Sequence, residues 1–436
     1  MTTEITVTYR SESTADGRSM YLAADSPVFF DGFATQPLPT ARALALVTQV
    51  AATRFYEPAS MIAARIRAAD PVVTAEDGRL RFESFSRCAG VHARLDLVED
   101  GLDVRECAPG TTNVDFNPPV LRALSHLAGS DPLRLTVGQD SVAVQTFEGT
   151  LVEHQVPLPE RWVKGFGEVQ VALTHTVPVL ELGQTAARRF LDALPGGDIG
   201  KTVVWAIPSG AGVRIGRAFK PGAVCVAGTS RLRILQPLAR FATALRAYGR
   251  PHATAPSAVA WVLTLPGGRM SLTLSPEPSR GFSGEGGLLF DLISAKAERD
   301  ADELSRALAR HARFRLADTR LEAQRGTAAL SWLGAHGHVG FDAAEQVFFW
   351  RHLPYPDDVL RADPPRLRAA RELVAARAVT VDERGARVIS GTAEYRVSDG
   401  RCTCPWMAKH GTARGPCKHV LATAIVDASR LEQRLQ

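Results

Sequence analysis

The feature that most constrains this sequence is a cluster of thiols and one imidazole near its carboxyl end. Cys402 and Cys404 are followed by the twelve residues Pro405 to Pro416, and then by Cys417 and His419. Half of the six cysteines fall within these sixteen residues. Side chains two apart on an extended strand point the same way, so Cys402 and Cys404 can reach one ion. Asp399-Gly400 suits a type I′ turn, which predicts a hairpin from Thr392–Ser398 and Arg401–Cys404. Residues two apart on a helix lie about 200° apart around its axis, so Cys417 and His419 cannot both be ligands from mid-helix. They are expected at a helix entrance, with Pro416 helping to start the helix. Val420, Leu421, Ala424, Ile425, Leu431 and Leu435 would give that helix an apolar face able to cover the hairpin.

Three thiolates and one imidazole make a closed tetrahedral zinc site with no position left for water. The expectation is one structural zinc ion held by Cys402, Cys404, Cys417 and His419. The bare site carries one net negative charge, which Arg401, Lys409, Arg414 and Lys418 would offset. The same four cations, with Trp406, are candidate contacts to nucleic acid or to a protein partner. For Trp406 the alternative is packing over the hairpin.

This arrangement resembles the SWIM-type zinc finger, in the bacterial form that carries Cys402-Thr403-Cys404-Pro405-Trp406 and Arg414-Gly415-Pro416-Cys417-Lys418-His419-Val420-Leu421-Ala422. Four upstream blocks are similar to those of an otherwise uncharacterised family of bacterial SWIM-finger proteins. They are Asp70–Thr74, Leu80–Ser86, Gly110–Asn117 and Arg280–Gly286. The resemblance implies binding to DNA or to other proteins. It also implies a setting beside MoxR-type AAA+ ATPases and von Willebrand A-domain proteins, in an adaptor role.

The rest of the chain narrows the classes. It has 436 residues, 45% hydrophobic and 22% charged, the balance of a globular chain of two or three domains. A net charge of +5 permits nucleic-acid binding without arguing for a chain-wide basic footprint. The first residues lack the basic and apolar regions of a secretory signal. The longest apolar candidate, Thr40 to Phe55, is short and carries Arg42 and Arg54, so a soluble cytoplasmic chain without a membrane span is expected. Cys88, Cys107 and Cys225 are scattered and read as small buried apolar residues.

The fold class is α+β. Residues 1–295 mix hairpins and helices, with a subdomain split expected near 129–132. Thr40–Tyr56, Thr185–Leu194 and Ser230–Tyr248 read as helices. Strand pairs are expected at Leu80–Phe85 with Val91–Leu97, Ser141–Phe147 with Thr150–Val156, Val203–Ile207 with Val213–Ile215, and Ala258–Leu265 with Arg269–Leu274. Residues 296–378 read as a helical or winged-helix-like region, with helices at Lys296–Leu316, Thr327–His336, Asp342–Leu353 and Pro364–Ala378. Residues 379–436 form the finger, a ββα unit.

Four motifs suggest chemistry and fail on spacing. Gly196–Thr202 lacks the first glycine of a phosphate loop and reads as a turn. Gly281–Glu285 has Glu285 where a nucleophile elbow needs glycine, and should open a helix through Ser294. Lys164–Val171 lacks the stacking aromatics of an RNA-recognition strand and reads as an ordinary strand. His336 and His338 read as a solvated pair. An enzyme would need Asp115, Asn117, Arg280 and Glu285 around one cleft. The preferred reading is a zinc-stabilised interaction module, with nucleic-acid binding through the finger as the alternative.

Overall fold

The computed structural model describes residues 14–16, 19–21, 27–56, 71–129, 131–197, 201–210, 212–283, 286, 288–355, 360, 362–411 and 414–434. Asp70, Ser130, Asp198 to Gly200, Gly284, Glu285 and Leu435, used above, lie outside them.

A small hairpin, β1 (Thr14–Asp16) and β2 (Ser19–Tyr21), precedes β3 (Val28–Ala34) and α1 (Pro37–Ala52). Then come β4 (Val72–Glu76), β5 (Arg79–Phe85), β6 (Val91–Leu97), β7 (Leu102–Cys107) and β8 (Gly110–Asn113). After α2 (Pro118–His126) the chain makes a meander of β9 (Arg134–Gly138), β10 (Ser141–Thr146) and β11 (Gly149–His154). The crossing α3 (Glu160–Leu173) leads to β12 (Val177–Gly183) and α4 (Gln184–Asp192). Next are β13 (Val203–Ser209), β14 (Gly212–Gly216), β15 (Val224–Ala227) and the short α5 (Thr229–Leu232). A second meander, β16 (Ala244–Gly249), β17 (Val259–Leu265) and β18 (Gly268–Leu274), follows.

Besides the β1–β2 hairpin, three sheets arise from these strands. One has the order β11-β10-β9-β3-β7, one β12-β16-β17-β18-β6-β5-β4-β8, and one β14-β13-β15. The stretch 129–132 joins α2 to β9, which pairs with β3. In the eight-stranded sheet β5 and β6 alternate, as a half-buried strand does. Leu80, Phe82, Val91, Ala93, Leu95 and Leu97 share one core with Leu44 and Val47 of α1. Arg81, Glu83, His92, Arg94 and Asp96 lie in the alternate positions, yet they too are buried.

What covers them is the next part of the chain. After α6 (Leu288–Asp291), α7 (Ala295–Leu308), β19 (Arg313–Phe314) and α8 (Ala323–Ala335), strands β20 (Val339–Asp342) and β21 (Val347–Trp350) complete a small sheet of order β19-β21-β20. Asp342 at the end of β20 receives Arg94 at 3.0 Å and Arg269 at 2.8 Å. Asp96 receives Arg81 at 2.7 Å and Arg94 at 2.8 Å. The Arg81 guanidinium lies 3.4 Å from the Phe349 ring centroid. A polar sheet face is thus buried by pairing its charges with those of the covering layer.

The chain ends with α9 (Pro365–Ala375), the sheet β22 (Val379–Asp382), β23 (Gly385–Ser390), β24 (Ala393–Ser398) and β25 (Arg401–Cys402), then α10 (Pro405–His410) and α11 (Lys418–Arg434). The molecule is α+β. No described helix is long and apolar enough to cross a membrane.

All four expected strand pairs form. Several elements differ from expectation. Ser230–Tyr248 is not one helix: α5 runs into a 3-10 segment, Arg233–Phe241, that contains Pro237. Ala244–Gly249 is then a strand held between β12 and β17. Lys164–Val171 is helix, not strand. Gly167 serves helix packing, because a Cβ there would sit 2.8 Å from Ala335 Cα of α8, and Gly165 makes room for the Phe85 ring of β5. Asp342–Leu353 is a hairpin, not a helix. The Asp342 carboxylate caps the N–H groups of Ala344 and Glu345 as a helix start would, but Gln346 at φ 57° turns the chain back. The helices expected at Lys296–Leu316 and through Ser294 are shorter, α7 ending at Leu308 and α6 at Asp291.

Candidate metal centre and finger surface

Each ligand of the candidate metal centre is placed by a local rule. Asp399 (φ 50°) and Gly400 (φ 71°) make the tight turn between β24 and β25, which puts Cys402 opposite Val397 on the inner face. Cys404 stands just before α10, where its sulfur accepts from the Met407 N–H at 3.4 Å. Cys417 and His419 flank Lys418, the first residue of α11. All four side chains are buried. Their donor atoms lie within 4.8 Å of one another. His419 Nδ1 is 3.5 Å from Cys402 Sγ and 3.9 Å from Cys417 Sγ. A tetrahedron with zinc–sulfur bonds of about 2.3 Å has edges of about 3.8 Å, so the donor set fits one zinc ion.

The electrostatics agree. Burial, reinforced by the neighbouring Cys417 and Cys404 sulfurs, pushes the Cys402 thiol up to about 12, and burial likewise raises Cys417. Burial, with the Lys418 charge, lowers His419 to about 4. A divalent cation supplies the missing counter-charge and turns buried thiols into thiolates. His419 stacks on Tyr395, with centroids 4.5 Å apart, and its Nε2 is buried without a hydrogen bond. Ring packing rather than a carboxylate therefore holds the imidazole with Nδ1 toward the sulfurs.

Residues 379–427 match the family profile of the SWIM zinc finger. This segment is a SWIM zinc finger. No curated protein matches the chain. Among solved structures, proliferating cell nuclear antigen from Entamoeba histolytica aligns at 10% identity with a TM-score of 0.37, over 58% of this chain and 100% of that one. The PCNA2–PCNA3 complex from Sulfolobus tokodaii aligns at 9% and 0.38, over 57% and 99%.

The SWIM finger has its own small core. Ala386, Val388, Val397, Met407 and Val420 pack around the three cysteines. Leu421 and Ala422 of α11 face the other way, into the core that holds Leu367 and Ala370 of α9. The helix face expected to cover the hairpin is therefore shared. Arg366 of α9 clamps the finger's loop, donating to the Arg414 carbonyl at 2.9 Å and the Pro416 carbonyl at 2.8 Å. Its guanidinium lies 4.7 Å from the Trp406 ring centroid. No sequence signal marked Arg366, because its partners are carbonyls and an indole far along the chain.

Of the nominated contact residues, Arg401, Lys409 and Arg414 are exposed, and Trp406 and Lys418 are half-buried. On the outward face of the finger sheet, Arg387 and Arg396 stand directly opposite each other, and Ile389 stands opposite Glu394. Sequence reasoning passed over these four because they lie outside the cysteine motif.

Of the residues required for an enzyme, the described ones, Asp115, Asn117 and Arg280, do not share one cleft. Asn117 holds the Glu153 carboxylate, whereas Arg280 pairs with Glu168 of α3 at 3.4 Å. Arg280 lines a cavity of about 400 Å³ beside Met407 and Pro416 that neither Asp115 nor Asn117 reaches. His336 is not solvated; it is buried, with Nδ1 2.6 Å from the Trp332 carbonyl and its ring stacked on Trp332.

Proposed function

We propose that this chain is an interaction protein whose zinc-closed finger docks a protein partner through the outward face of its sheet. The metal centre has no open position, so the finger is a binding module and not a catalytic one. The observation that carries the proposal is the mixed chemistry of the exposed face. Arg387 and Arg396 lie beside Ile389, which is 55% exposed, and Glu394, and Arg401 stands on β25 at the edge of the same face. Apolar and charged groups side by side suit a protein surface better than a phosphate backbone. Covering of Trp406 by Arg366 further reduces its use as a base-stacking platform.

Our working division is a body at 1–295, a middle region at 296–378 and the finger at 379–436. The middle runs α7, β19, a 3-10 turn at Leu316–Thr319, α8, β20 and β21, and then α9. Its second helix, α8, is buried from Ala329 to Gly334, so we read it as a scaffold rather than a groove reader. A MoxR-type ATPase or a von Willebrand A-domain protein is the candidate partner implied by the family resemblance.

The exposed cations Arg387, Arg396, Arg401, Lys409 and Arg414 favour the second reading, nucleic-acid binding. The test uses zinc-loaded full-length protein. Its binding to purified MoxR-type ATPase, duplex DNA, single-stranded DNA and RNA is measured across a salt series, for wild type and Arg387→Glu/Arg396→Glu. Protein binding lost in the variant, without binding to nucleic acid, supports docking. Nucleic-acid binding with a salt slope that falls by about one unit per lost phosphate contact overturns it in favour of the second reading.

A further inference from the structure

At its edge strand β8, the eight-stranded sheet borders a cavity of about 490 Å³. Strands β4 and β8 form one side of it, and α7, α8 and β21 contribute the other. On β4, Thr74 and Glu76 are two apart and face the same way. Thr111 of β8 stands directly opposite Thr74, with the two hydroxyls 3.4 Å apart. All three side chains line the cavity. One strip of sheet therefore offers it two hydroxyls and a carboxylate.

Glu76 is only 6% exposed. The Trp350 backbone N–H donates to its carboxylate. Among the described residues no cation pairs with it. Arg81 and Arg313, whose charges act on Glu76, are committed to other acids. Arg81 meets Asp96 at 2.7 Å, and Arg313 meets Glu345 and Asp77, each at 3.1 Å. A buried carboxylate in this position is costly unless a cation reaches it. Burial outweighs the pull of Arg81 and raises the carboxyl to about 7, the mark of a charge short of a partner.

Facing the strip is an aromatic wall. Trp332 is buried and Trp350 half-buried, and both line the cavity. Neighbours fix both indoles. Trp332 stacks on His336 with centroids 3.8 Å apart, and Trp350 Nε1 donates to the His311 carbonyl at 3.0 Å. His352 lies parallel to Trp350, at a centroid distance of 6.1 Å, on the exposed rim. Asp302 and Arg310 also stand on that rim, exposed, so their opposite charges face water. The charge held inside is that of Glu76.

We propose that this cavity binds a small organic amine, as the ammonium ion, carried on an apolar or aromatic body. The three N–H donors of an ammonium group match the Glu76 carboxylate and the Thr74 and Thr111 hydroxyls. The body lies against Leu333 and the two indoles, whose faces also attract a nearby cation. A neutral ligand of the same shape leaves Glu76 without its counter-charge, and an anion meets it as a like charge.

The test uses the zinc-loaded full chain at about pH 8, where an alkyl amine is protonated. Benzylamine, benzyl alcohol and benzoate present one ring with a cationic, a neutral and an anionic group. Their dissociation constants are measured by isothermal titration calorimetry. Benzylamine should bind at least about tenfold more tightly than benzyl alcohol, and benzoate more weakly than either. Glu76→Gln should bring benzylamine down to the level of benzyl alcohol. Thr111→Val, isosteric and on the edge strand, should narrow the same ratio without touching the buried acid. Equal affinity of the wild type for amine and alcohol overturns the proposal without recourse to any variant. So does an absence of benzylamine binding at millimolar concentration, or a preference for the amine that survives Glu76→Gln.

Discussion

Arg351, one residue past β21, donates to the Glu83 carboxylate of β5 at 2.8 Å, and both side chains are only 2% exposed. Glu83 also meets His92 at 3.2 Å. Burial opposes ionisation of Glu83, but the Arg351 charge, His92 and Arg81 together outweigh it and keep the carboxyl well below the usual carboxylate range. The pair ties the covering layer to the eight-stranded sheet.

Arg351→Met should therefore cost about 3–5 kcal/mol, because it strands a buried carboxylate. Replacing both partners, as Glu83→Leu with Arg351→Met, should cost less than the single change. Urea unfolding of the two singles and the double measures the coupling, and a double that costs the sum of the singles would refute it.

Metal removal should act on the finger first. Structural zinc in small fingers contributes on the order of 10–16 kcal/mol of binding free energy at neutral pH. Chelation, or Cys417→Ser, should abolish protection of the finger's amides in hydrogen exchange while β4–β6 stay protected. Because binding must displace protons from raised thiols, zinc affinity should fall as the pH is lowered. The check is a zinc competition assay across pH 6 to 8.

Glu76 of β4 gives a pH dependence of opposite origin. Burial raises its carboxyl from 4.5 to about 7, against the pull of Arg81. The folded state then holds the proton more tightly than the unfolded chain does. This favours folding below about pH 4.5, and the stability is lost as the pH rises through 7, by at most about 3 kcal/mol. Glu76→Gln should flatten that decline in melting curves taken from pH 5 to 8. An unchanged slope would count against the assignment.

Helix α3 approaches α8 too closely for any side chain at Gly167, where a new Cβ would meet backbone rather than a movable side-chain tip. Gly167→Ala should destabilise the protein by roughly 1–3 kcal/mol despite alanine's better helix propensity. Gly183→Ala, with open space around the new Cβ, is the control. Thermal melts of the two variants decide the point.

The ligand set was legible in the sequence because strand and helix geometry fix the spacing of Cys402, Cys404, Cys417 and His419. The hairpins were legible where a tight turn joins two β-rich runs. What misled was local chemistry shared by two structures. Asp342 caps a turn as it would a helix, and Ala244 to Tyr248 can be read with either period. Arg81, Glu83, His92, Arg94 and Asp96 alternate as a solvent face does, so nothing local announced that β20 and β21 lie over them. Arg366 acts on partners that only the folded chain brings near.

The charges between β5, β6 and β20 are closed off from water, whereas Arg387, Arg396 and Arg401 stand in it. Dissolved ions screen the second group within about 8–10 Å and scarcely touch the first. Raising ionic strength should then loosen whatever the finger holds without loosening the molecule itself. Release and disassembly answer to different variables, so a concentrated salt wash should recover the chain intact from its partner.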